Sequence, residues 1–181
     1  MKAAFFKTTQ NVLRLFCLMV LFIVVSAHSF AESESNEYNI KAMFVLNFMK
    51  YVEWPPESIS DKFKIGVVGE SSIYQSLQSL VANRKESSKI QIYKVNTDLN
   101  EGYQILIITR SENDRIERLS KKYLGKGVLI ISEDCKNNNY ASINLVNINN
   151  KIRFEINNSQ TKLGGIKISS KLSEMALSVQ P

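Results

Sequence analysis

The segment Gln104–Arg110 reads QILIITR, an apolar run with no polar alternation. A strand of that kind cannot lie with one face in water. Both faces must be covered, which belongs to sheets packed between helices rather than to half-solvated antiparallel ones. Phe63–Val68 (FKIGVV) has the same character. Gly69 then turns the chain, and Ser71–Val81 carries Ile73, Leu77 and Leu80 at helical spacing. Lys89–Val95 returns as a strand. A strand–helix–strand series favours a parallel pair with a right-handed crossover. The approach Asn96–Tyr103 is too short for a normal crossover helix, so the pattern does not set which strand the central one joins.

The rest of the chain fits the same frame. An apolar helix is expected from about Glu37 to Val52, with Ile40, Phe44, Phe48 and Tyr51 on one stripe and a thin polar side at Lys41, Asn47 and Lys50. Pro55 and Pro56 end it, because each disfavours helical dihedrals at the residue before it. That stop carries Trp54, the only tryptophan. Trp54 has two readings, a plug at the end of the core or an exposed anchor for a partner, since Trp is enriched in binding hot spots. The anchor reading expects Trp54→Ala to weaken partner binding and spare the fold. Ser111 with Asp114 suggests a capping box before a helix that buries Ile116, Leu119 and Tyr123. Gly125 and Gly127 end that helix, and Val128–Ser132 is another strand. Ile143–Ile148 and Lys151–Ile156 flank Asn149-Asn150, a two-residue hairpin turn. A short helix or turn precedes Gly164-Gly165, Ile166–Ser169 reads as extended, and Ser170–Val179 reads as helical. The expected fold class is α/β, a single-domain mixed β-sheet flanked by helices on both faces.

Residues 1–31 read as a secretory signal. Lys2, Lys7 and Arg14 form a basic head, Leu15–Val25 an apolar run too short to span a bilayer comfortably, and Ser29-Phe30-Ala31 a cleavage site. Glu32–Asn36 is a polar lead-in, and 37–181 is one domain. Cleavage would remove three of the 23 basic residues and none of the 17 acidic ones, leaving 20 against 17, a net +3. So weak a charge gives no reason to expect nucleic-acid binding. The product would be exported and would not itself span a membrane.

Cleavage would also remove His28, the only histidine, and leave Cys135 as the only cysteine. No internal disulfide is then available. A Ser-His-Asp or Cys-His mechanism lacks its base, and metal chemistry is left with carboxylates at no recognisable spacing. The residues point to no catalytic set, no metal and no cofactor, and the missing histidine argues against a hydrolase without excluding it. Cys135 reads as a small apolar filler. A Ser169–Lys171 pair would share a face only if both sat on a strand.

Two sets of residues stand out as binding candidates. Ser71 and Ser72, after a strand and a Gly turn, could present backbone N–H groups to a ligand or simply cap a helix; the turn has neither a dinucleotide fingerprint nor a P-loop. In IRFEIN, Ile152, Phe154 and Ile156 alternate with Arg153 and Glu155. The two charges read either as a solvated sheet face or as a patch that recognises a partner. Asn157-Asn158-Ser159 matches a glycosylation sequon.

Taken together, YNIKAMFVLNFMKYVEWP, KIGVVG, ILIITRS, VLIISE, INLVNINNKIRFEIN and IKISSKLSEMA are familiar. In their order and spacing the chain resembles the YfiR-like family of small secreted bacterial proteins. The resemblance implies a periplasmic regulator rather than an enzyme, one that binds the periplasmic domain of an inner-membrane diguanylate cyclase and holds it inactive; related domains are also associated with sensor histidine kinases. An outer-membrane lipoprotein with a peptidoglycan-binding domain would relieve that inhibition, and a homodimer is compatible with it. Carried over, such a protein lowers cyclic-di-GMP and biofilm formation. The candidate partner contacts are Trp54, Pro55, Arg153, Glu155 and Lys171. The best-known members carry several cysteines in disulfides, so the lone Cys135 is a departure. The alternative is a small-molecule-binding sensor acting with a histidine kinase, using the cleft near Ser71 and Ser72 or the Arg153 face.

Overall fold

In the computed structural model, residues 35–85, 87–95 and 102–181 are described. The expected signal at 1–31 and part of the approach at 96–103 lie outside them. Tyr38–Pro181 forms one unit. Among the described residues no helix is long and apolar enough to cross a membrane.

The apolar runs become a seven-stranded sheet. Its strands are β2 (Phe63–Val68), β3 (Ile90–Val95), β4 (Ile105–Ile108), β5 (Leu129–Glu133), β6 (Ile143–Ile148), β7 (Lys151–Asn157) and β9 (Ser178–Gln180), in the order β3-β2-β4-β5-β6-β7-β9. The first five are parallel neighbours, β7 runs antiparallel to β6, and β9 is parallel to β7. The central QILIITR strand joins β2 on one side and β5 on the other, not β3. A two-residue strand, β1 (Val52–Glu53), pairs antiparallel with β8 (Lys167–Ile168) outside this sheet.

Helices cover both faces, as the unalternated strands require. Along β2, β4 and β5, Ile65, Val67, Ile105, Ile107, Leu129 and Ile131 face one core. Helix α1 (35–51), α2 (Ile73–Ala82) and α5 (Ser170–Met175) close it. Phe48 of α1 is fully buried, and its ring meets Phe154 of β7 edge-on at 5.1 Å. Leu106, Ile108 and Ile130 point to the other core, under Ile116 and Leu119 of α3 (Ile116–Lys122). Each such side chain contributes roughly 1.5–3 kcal/mol by leaving water.

Several local expectations need correction. The Ser111–Asp114 capping box does not form: Arg110–Arg115 is a 3-10 turn, and the Thr109 hydroxyl meets Ser111 Oγ at 3.0 Å instead of capping. The last helix stops at Met175, and the chain returns as β9, whose pairing is set by β7 and not by any local pattern. Ser169 caps α5 by accepting from the Leu172 N–H at 3.3 Å, so Ser169 and Lys171 do not share a strand face. The hairpin is as read, with Asn149 and Asn150 at φ 52° and 61°. Asn157 begins the short helix α4 (Asn158–Leu163) as its N-cap.

Candidate functional site

The strand order reverses between β2 and β4: the chain leaves β2 toward β3, and β4 lies on the other side. In open parallel sheets ligands bind outside the C-terminal strand ends at such a switch point. The loops there are Gly69–Ser72 after β2 and Thr109–Asn113 after β4, with Glu133 and Asp134 alongside at the end of β5. Gly69 has φ +89°, and a Cβ on it would collide with Thr109 and Glu112. Only glycine allows the two loops to meet this closely.

At this end of the sheet sits a buried ion pair that sequence reasoning missed. Lys41 was expected on the polar side of α1, yet it is fully buried. Its Nζ donates to Glu133 Oε1 at 3.1 Å, and Glu133 is 2% exposed. The Lys41 ammonium also lies 4.8 Å from the centre of the Tyr38 ring and 3.9 Å from Asp134 Oδ2. Ser71 Oγ donates to the second Glu133 oxygen at 3.2 Å, and Asn113 Nδ2 to the Glu133 carbonyl at 2.9 Å. Arg110 pairs with Asp134, and that hydrogen bond raises its pKa above the ordinary arginine value. The one available signal was an acidic pair, Glu133-Asp134, directly after an apolar parallel strand. Nothing local marked Lys41.

The ligand candidates divide at this point. Ser71 is turned to Glu133 while its oxygen also accepts from the Ile73 N–H at 3.3 Å. Ser72 is exposed and makes no side-chain cap. The pair therefore lies at the switch point, with Ser71 tied to the ion pair and Ser72 facing solvent.

The partner candidates fall on two faces. Trp54 is half-buried; its indole N–H donates to the Gln104 carbonyl at 3.2 Å, and its ring meets Phe63 edge-on at 5.0 Å. Pro55 follows, its carbonyl accepting from the N–H and hydroxyl of Ser58 at 2.9 and 2.8 Å. Lys171 lies beside the end of α1: its Nζ is 5.6 Å from the centre of the Tyr51 ring, and Tyr51 O accepts from Ser169 N at 2.9 Å. Arg153 and Glu155 are elsewhere. They alternate with Phe154, whose ring packs on Phe44 and Phe48, so they occupy the opposite sheet face. Arg153 is exposed. Glu155 accepts from Asn144 Nδ2 at 3.1 Å, and Asn144 in turn accepts from Ser132 Oγ and the Cys135 N–H.

Two remaining motifs have structural roles. Cys135 is a free, buried thiol, and burial raises its pKa. Asn157 of the sequon is buried, its oxygen accepting from Gln160 N at 3.1 Å and its Nδ2 donating to Asn138 O at 3.2 Å. Both ends of that amide are engaged within the fold.

Residues 38–177 match the model of a family described as YfiR/HmsC-like. A search of curated proteins found none that matches the chain.

Proposed function

The chain belongs to the YfiR/HmsC-like family, and from that premise we propose that it is a periplasmic regulator acting by protein–protein contact. The target is the periplasmic domain of an inner-membrane diguanylate cyclase, which it holds inactive, so that cyclic-di-GMP and biofilm formation fall. A sensor kinase is the other target class, and an outer-membrane peptidoglycan-binding lipoprotein would draw the regulator away. The family match across 38–177 is the observation that carries this reading. Such a regulator works only by binding the target's inactive state more tightly than its active one.

Trp54 and Pro55, together with Lys171 beside Tyr51, are the contacts we assign to the target, with Arg153 and Glu155 as a second patch for the lipoprotein or for a second copy. The test is a crosslinking pull-down from the native cell envelope with tagged protein. Wild type is expected to recover a membrane cyclase or kinase. Lys171→Glu, an exposed change, should recover much less while retaining its fold by circular dichroism. Recovery of no membrane protein overturns the reading.

A second reading, a small-molecule sensor using Ser71 and Ser72, is favoured by one observation: those residues lie at the strand-order switch point. A ligand present at 100 times its Kd would add about 2.7 kcal/mol of stability. A metabolite screen with no melting shift that Ser72→Trp abolishes would argue against it.

A further inference from the structure

The two edges of the seven-stranded sheet are not alike. Strand β9 is three residues long and is followed by Pro181. A short strand that ends in proline blunts an edge against further pairing. Strand β3, at the other edge, has six residues, IQIYKV, with no glycine or proline. Its register against β2 is unbroken from Phe63↔Ile90 to Val68↔Val95, so it carries no bulge. Its one charge, Lys94, is drawn back onto its own subunit: Nζ lies 2.9 Å from Glu70 Oε2 and 5.5 Å from the centre of the Tyr74 ring.

The ladder sets which backbone groups of β3 point outward. Gln104 N donates to Lys64 O at 3.0 Å and Thr109 N to Val68 O at 3.1 Å. Lys64 and Val68 thus turn toward β4, and by alternation Ile65 and Val67 turn toward β3. Ile65 is in parallel register with Ile92, so it engages the residues on either side, Gln91 and Tyr93. Ile90, Ile92 and Lys94 are left with N–H and C=O directed out of the sheet. Among the described residues no further strand pairs with this edge.

Helix α2 packs along the same strand. The stretch Ser71–Asn83 that contains it has no charged residue, although charged residues make up 22% of the chain. Gln75, Gln78 and Ser79 are nevertheless exposed on it. A solvated helix face usually carries charge, whereas the centres of protein interfaces are depleted in it.

We propose that the outer edge of β3, with the adjoining face of α2, binds a second copy of this chain, the two β3 strands pairing antiparallel about a two-fold axis at Ile92. That axis sets Ile90 opposite Lys94 of the partner subunit and Gln91 opposite Tyr93 of the partner subunit. All three outward residues find hydrogen-bond partners at once, and the sheet continues with α2 beside its copy. An isologous contact meets itself, so it cannot carry an unmatched charge near the axis. This surface meets that condition: α2 is uncharged, and Lys94 faces an isoleucine rather than another lysine. A different protein would be selected through complementary charge, and here the face offers only the Lys94–Glu70 pair, already neutralised. The contact assigns the second copy to β3 and leaves Arg153 and Glu155 to the lipoprotein. It holds whichever membrane protein the regulator binds.

The experiment combines sedimentation of the purified protein, from micromolar to millimolar concentration, with hydrogen exchange of its amides. A monomer–dimer equilibrium is expected, and the Ile90, Ile92 and Lys94 amides should exchange more slowly as the dimer fills. Gln75→Lys with Gln78→Lys, two exposed helix positions, should weaken the dimer on the order of tenfold by placing like charges across the axis, with the circular dichroism unchanged. Arg153→Glu should leave the dimer intact. A protein that stays monomeric throughout would overturn the proposal. So would a dimer in which those three amides exchange at an unchanged rate, or one lost with Arg153→Glu and kept with the two lysines. Protection of the three amides in the monomer would show the edge covered by the chain itself and would overturn it as well.

Discussion

Replacing Lys41 by methionine keeps the length of the side chain and removes its charge. Lys41 and Glu133 are 0% and 2% exposed and 3.1 Å apart. At an effective dielectric of about 20 their attraction is about 5 kcal/mol. Much of that offsets the cost of taking both ions out of water, so the intact pair adds little net stability. Breaking it is different. In Lys41→Met the Glu133 carboxylate stays buried, with the Ser71 hydroxyl as a remaining donor, and such orphaned charges cost about 3–5 kcal/mol. Domains of this size lose about 2–4 °C of Tm per kcal/mol, so the variant should melt on the order of 10 °C lower. Urea unfolding followed by Trp54 fluorescence measures the loss directly. The decisive comparison is Lys41→Met with Glu133→Leu, which removes both charges and should regain most of the lost stability. Arg110→Ala, at the exposed edge of the same cluster, should cost under about 1 kcal/mol. If Lys41→Met costs as little as Arg110→Ala, or if the double change costs the sum of its parts, the buried-pair argument is wrong.

Three further outcomes are expected. Asn150→Val should lose about 1–2 kcal/mol in urea unfolding, because φ +61° forces a β-branched side chain into the left-handed region, whereas Asn150→Gly should be neutral or mildly stabilising. Asn157→Ala should cost about 1–2 kcal/mol, the value of a helix cap, with its bond to Asn138 lost as well. Cys135 should react slowly with an aromatic disulfide reagent at pH 8, because burial raises its pKa and reduces the thiolate fraction. The rate should rise with pH and jump past the urea midpoint; a full native-state rate at pH 8 would contradict this.

The layered fold was legible because strands such as ILII have no polar face to offer water, and the hairpin because Asn-Asn tolerates two left-handed residues. The sheet order was less so, since a short approach to β4 permits either neighbour. Strand β9 was hidden because Ser178–Gln180 is three residues long, too short to show a period, and is placed by its pairing with β7. Lys41 was misplaced for a related reason: periodicity assigns a charged residue to the solvent side, and only a carboxylate 92 positions away reverses that. The candidate contacts behaved unevenly. Trp54 and Ser71 proved tied to long-range partners that no local motif encodes, whereas the exposure of Arg153 followed directly from alternation.

That distance has a kinetic meaning. Helix α1 comes early in the chain, but the surfaces that bury Phe44, Phe48 and Lys41 are provided by Phe154 and Glu133. Closing loops of this length comes before the contacts that reward it, and topologies of this kind fold slowly. The earliest described segment to be synthesised therefore completes its contacts only after β5 and β7 have been made. Until β7 exists, Phe44 and Phe48 lack the Phe154 ring against which they pack, even with β2, β4 and β5 already made.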